Sequence, residues 1–166
     1  NRLCSISMAL IRHRYGLSNN EPLTDLEVEL QAFLHNPPEG LGKVEHFWNI
    51  CFILWGPNNK IKSFERNPWT DRMAYAACKE QYLGFSGCSG SGKSEFAAVW
   101  AIVNWLCDPA HTLVFCTSTS LKESNRRIWG RIKTFWQASA CGLPGKLVDS
   151  MYIIRTDNGT GVFSDE

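Results

Sequence analysis

Gly87-Cys88-Ser89-Gly90-Ser91-Gly92-Lys93-Ser94 is the stretch on which the reading of this chain turns. Every fixed position matches G-x-x-x-x-G-K-[ST], the pattern of a phosphate-cradling P-loop. Glycines let the backbone curl until successive N–H groups point at one anion, and a helix beginning there offers its positive end to the same charge. All eight residues are therefore assigned to binding ATP. Lys93 is the catalytic lysine reaching the β- and γ-phosphates, and the Ser94 hydroxyl is the Mg²⁺ ligand.

The flanks fit that placement. Residues 81–86 read as a strand entering the loop, and residues 94–107 as a very apolar helix leaving it, ended by Asp108-Pro109. Residues 112–117 are β-branched and aromatic, a second strand, and residues 121–137 a second long helix. A loop over 142–145 precedes Tyr152-Ile153-Ile154-Arg155, Asp157-Asn158-Gly159 and Val162-Phe163, which read as a hairpin. Strand, loop, helix, strand, helix, strand is the alternation of an α/β protein with a parallel sheet, here an ASCE-type P-loop NTPase core.

Residues 1–65 read differently, as a helical N-terminal region. Leu3, Ile6, Leu10 and Ile11 share a face before Gly16, and Thr24-Asp25-Leu26-Glu27 has capping-box spacing ahead of Leu30, Phe33 and Leu34. Pro37-Pro38-Glu39-Gly40 breaks the pattern, and residues 44–55 are long and apolar enough to favour helix over strand. Gly56-Pro57-Asn58-Asn59 is a turn, residues 71–80 a short helix, and the core is assigned to residues 66–166.

Composition narrows the function classes. With 44% apolar and 20% charged residues the chain supports a packed core, and a net charge of +1 requires any nucleic-acid contact to be a local patch. No apolar run approaches the length of about 18 residues that a membrane helix needs. Arg2, Arg12, His13 and Arg14 stand where a secretory signal would be apolar. Seven cysteines with no C-x-x-C pair argue against a disulfide framework or a zinc knuckle, so an intracellular setting is expected. Trp69, one of seven tryptophans, is read as core packing rather than a base contact. Glu95 is read as complementing the helix dipole.

A P-loop hydrolase also needs an acidic Walker B strand. Asp165-Glu166 is the available pair, but it follows a hairpin turn rather than ending a buried apolar run. The core is expected to stop short of Walker B, and residues 1–166 alone to be inactive as a piece of a longer chain.

On the helix over 121–137, Leu121, Ile128, Ile132 and Phe135 form an apolar stripe. At about 100° per residue, Lys122, Arg126 and Lys133 fall on one flank, with Arg127 and Arg131 on the other. Three readings stay open: a solvated face, phosphate contact with nucleic acid through Lys122, Arg126 and Lys133, or an arginine (Arg127 or Arg131) aimed at a neighbouring subunit's γ-phosphate.

Gly84-Phe85-Ser86-Gly87-Cys88-Ser89-Gly90-Ser91-Gly92-Lys93-Ser94-Glu95-Phe96-Ala97 resembles the Walker A region of tailed-phage terminase large subunits. Thr117-Ser118-Thr119-Ser120-Leu121-Lys122-Glu123-Ser124-Asn125-Arg126-Arg127-Ile128-Trp129-Gly130 is similar to the strand-to-helix segment that follows it in those packaging ATPases. Asn158-Gly159-Thr160 is similar to the hairpin before Walker B. The resemblance spans roughly residues 66–164. It implies an ATP- and Mg²⁺-dependent motor that pumps double-stranded DNA into a procapsid. Such a motor works as a homo-oligomeric ring on the portal, beside a small terminase subunit, in the host cytoplasm during virion assembly. Positions 88, 89 and 91 are Cys, Ser and Ser, where many members carry an arginine. The alternatives are another P-loop nucleic-acid ATPase such as a helicase, or a nucleotide-binding module without turnover.

Overall fold

A computed structural model describes residues 40–107, 112–117, 128–140, 142–143, 145–155 and 161–164. The first described helix, α1 (Lys43–Trp55), is largely apolar and buries seven of its thirteen residues, Phe47 to Trp55 supplying all of them; Phe52, 67% exposed, lies on its wet strip. It stops at Gly56, where a Cβ would lie 2.5 Å from the Phe52 carbonyl oxygen.

Helix α2 (Pro68–Lys79) begins earlier than its apolar pattern suggests, because the start is fixed by a cap. The Asn67 side chain accepts from the Trp69 and Thr70 N–H groups, both at 3.0 Å, and the Thr70 hydroxyl accepts from the Asn67 N–H at 3.0 Å. Pro68 sits at the one helical turn that tolerates it. Helix α3 (Lys93–Cys107) runs from the glycine-rich loop into the core, and α4 (Gly130–Gln137) buries Ile132, Phe135 and Trp136 against it.

These helices share one aromatic core. Phe47 meets Phe96 and Trp100 with ring centres 5.8 and 5.3 Å apart, and Trp48 stacks on Phe64 at 5.7 Å. Trp55 meets Phe135 edge-on at 5.5 Å and donates its indole N–H to the Phe135 carbonyl at 2.8 Å. The core is thus continuous across residue 65, where the sequence suggests a change of region.

Strands β1 (Val114–Cys116), β2 (Lys146–Val148), β3 (Ile153–Arg155) and β4 (Gly161–Ser164) form one mixed sheet in the order β1-β4-β3-β2. The hairpin is present, with Ile153 opposite Phe163 in antiparallel register. β2, unmarked by any sequence pattern, pairs antiparallel with β3. Among the described residues the expected parallel core amounts to one pair, β1 with β4. Residues 81–86, expected as a strand, join no ladder: Gln81 and Tyr82 form a bend, and Tyr82 is 87% exposed. A strand is defined by its neighbour's hydrogen bonds, and none of the described strands lies beside this run.

Asp149 locks the β2–β3 corner to α4. It accepts from the Trp129 indole N–H at 3.0 Å and from the Lys133 ammonium. Lys133 first, then Trp129, hold its carboxyl below the usual carboxylate range. A lowered carboxylate pKa stabilises the fold above the unfolded value, about pH 4, and the stabilisation is lost as pH falls through the folded value. Asp149→Asn is therefore expected to flatten the acid limb of the stability profile, read as melting temperature from pH 6 to pH 2; an unchanged acid limb would refute the lock.

Candidate nucleotide-binding loop

The loop's shape follows from its glycines. Gly90 and Gly92 take φ of +81° and +79°, a region L-residues rarely adopt, and so turn the chain into the first turn of α3. The first helical bond, from the Phe96 N–H to the Gly92 carbonyl, is 2.8 Å. The N–H groups before it have no intrahelical acceptor.

Lys93 bridges the loop. Its ammonium donates to the Gly87 carbonyl at 2.8 Å, the Cys88 carbonyl at 2.7 Å and the Ser91 hydroxyl at 2.9 Å. Three N–H bonds meet three acceptors, so the positive charge is held at the loop's mouth rather than extended into water. Ser94, the expected Mg²⁺ ligand, is half-buried in the first turn of α3.

Trp69 stands between two clefts that open onto this loop. One, of about 240 Å³, is lined by Trp69, Arg72, Met73, Leu83, Phe85 and Lys93 among others. The other, of about 370 Å³, runs past Phe64, Asn67, Trp69, Gly90, Gly92 and Glu95. The core reading of Trp69 is corrected: it is 53% exposed, because the Asn67 cap sets the start of α2 and so puts this first-turn ring outside.

Glu95 does more than complement a dipole. One oxygen accepts from Lys62 at 3.0 Å and from Arg131 at 3.1 Å, tying the segment before α2 and helix α4 to the turn that follows the loop. These partners lie 33 and 36 residues away, so no local pattern announces them. Arg131, one of the two candidates for a neighbouring subunit's phosphate, is bonded to Glu95 within its own chain. Lys133, read as a DNA contact, is bonded to Asp149. Lys122, Arg126, Arg127, Asp165 and Glu166 lie outside the described residues.

The cysteines offer little reactive chemistry here. Burial pushes the Cys116 thiol up to about 11 and the Cys51 thiol well above its ordinary value. Cys88 is exposed within the loop, its carbonyl serving Lys93. Among the described residues no group of three His, Cys, Asp or Glu side chains could hold a metal ion, and no helix is long and apolar enough to cross a membrane. The chain matches no protein-family model, no curated protein and no solved structure.

Proposed function

We propose that residues 87–94 bind ATP with Mg²⁺, and that the chain is the ATPase part of a terminase-like motor acting on double-stranded DNA. The observation that carries the nucleotide reading is Lys93 drawn across a loop whose two left-handed glycines lead into a helix N-terminus. Such a loop sets one ammonium beside first-turn N–H groups that have no intrahelical acceptor, the pairing that favours an anion.

On binding, Lys93 keeps its two backbone acceptors and exchanges the third. The Gly87 and Cys88 carbonyls are fixed in the chain, whereas Ser91 releases the ammonium by rotation about one side-chain bond. The freed donor then serves a phosphate oxygen. Trp69, at the meeting of the two clefts, is the stacking surface for the base. Ser94 would hold Mg²⁺, which supplies charge neutralisation on the phosphates when bound.

The motor reading rests on the resemblance of residues 84–97 and 117–130 to terminase large subunits, with a ring on the portal, a small terminase subunit and the host cytoplasm as its setting. Calorimetric titration of MgATP into residues 1–166 tests the nucleotide reading. One saturable site, competed by ADP and absent for AMP, is the expected result, because the loop grips the β-phosphate. Absence of binding, or equal binding of AMP, would overturn it.

A further inference from the structure

The strands place two cations against each other. In the antiparallel pairing of β2 with β3, Lys146 lies directly opposite Arg155, and both are exposed. Directly opposed cross-strand residues have Cβ atoms about 5 Å apart, and like charges there are destabilising. Leu147 and Ile154, the next pair, bring the fully buried Ile154 to the core side, so the Lys146–Arg155 pair belongs to the outer face.

Nothing nearby neutralises this pair among the described residues. Lys62, Arg66, Arg131 and Lys133 each meet a carboxylate, whereas neither Lys146 nor Arg155 does. None of the four strands contains an acidic residue, and Asp149, just beyond β2, is taken by Lys133 and Trp129. The arrangement is also held in place. Gly145 takes φ of +98°, and a Cβ there would lie 2.7 Å from the Arg155 carbonyl oxygen, so the start of β2 is pressed against the end of β3.

A lysine on an edge strand commonly guards against unwanted strand pairing. That explains Lys146 on β2, the outermost strand of the sheet, but not Arg155 on the interior strand β3. We propose that Lys146 and Arg155 together clamp the sugar–phosphate backbone of duplex DNA on the outer face of the sheet. The proposal rests on the duplex-DNA part of the reading above, and it adds the β2–β3 pair to the candidate contacts Lys122, Arg126 and Lys133.

The test is the affinity of residues 1–166 for a mixed-sequence duplex across a salt series. Wild type is compared with Lys146→Gln/Arg155→Gln, the charge-keeping swap Lys146→Arg/Arg155→Lys, and Lys60→Gln/Lys79→Gln as a control elsewhere on the surface. Two lost phosphate contacts are expected to reduce the log–log salt slope by about 1.8 units, equally for unrelated sequences. The swap and the control should keep the wild-type slope. The glutamine pair should melt no lower than wild type, since it removes a repulsion, and should bind MgATP as before. A retained slope in the glutamine pair, absence of duplex binding by wild type, or loss of binding to phosphatidylserine vesicles in place of DNA would each overturn the clamp. MgATP titration of the same samples separates that outcome from failure of the nucleotide reading.

Discussion

Alanine at Lys93 is expected to weaken MgATP binding by about ten- to a hundredfold. The ammonium is the described positive charge within the loop, and a hydrogen bond between charged groups contributes about 1.5–3 kcal/mol, so losing the one donor freed for phosphate costs about one to two orders of magnitude. Folding should suffer little, because the bonds lost in the unliganded chain are to exposed loop carbonyls and a serine hydroxyl. Lys93→Arg is expected to restore little, since a planar guanidinium cannot reproduce three diverging bonds from one nitrogen. Calorimetry beside a thermal melt separates the two effects: lost affinity with an unchanged melting temperature is the expected pair of results. Unchanged affinity would remove the loop from the nucleotide site.

The largest effect on stability is expected from Trp55→Ala. Trp55 is fully buried, sits edge-on to Phe135 and bonds its carbonyl, joining α1 to α4 across 80 residues of sequence. Truncating a buried tryptophan costs about 3–5 kcal/mol, and the Phe135 carbonyl loses its indole donor as well. Against a total of about 5–15 kcal/mol, that leaves the chain close to unfolding. Trp55→Phe keeps most of the packing but not the bond, and should lose about 1–2 kcal/mol. Urea midpoints for both variants, with unchanged slopes, check this ordering.

How much of this was legible in the sequence depends on the range of the interaction concerned. The turn into α3 was legible, since Gly90 and Gly92 just before Lys93 mark the backbone bend that the structure shows there. Helices α1 and α3 were legible because thirteen and fifteen mostly apolar residues are too long for strands. The start of α2 lay in the reciprocal Asn67–Thr70 cap, visible in the sequence only as an Asn three residues before a Thr. That cap in turn decided that Trp69 faces the clefts.

Long-range pairing was not legible. A helical wheel groups Lys133 with its neighbours on one flank, but it cannot see Asp149 arriving from the β2–β3 corner. The same blindness hid Arg131 and Lys62 converging on Glu95. Residues 81–86 carry strand-forming side chains, yet strand formation needs a partner that local sequence does not supply. The Lys146–Arg155 pair emerged only once register set the two strands side by side.

Backbone amide shifts on addition of MgATP test the nucleotide site most directly. If residues 87–94 cradle the phosphates, the amides of Gly90, Ser91, Gly92, Lys93 and Ser94 should show the largest changes, the Trp69 indole should move with them, and Lys93→Ala should need about ten- to a hundredfold more MgATP to reach the same changes. Changes centred elsewhere, or the same changes at unaltered MgATP concentrations in Lys93→Ala, would contradict the assignment of this loop.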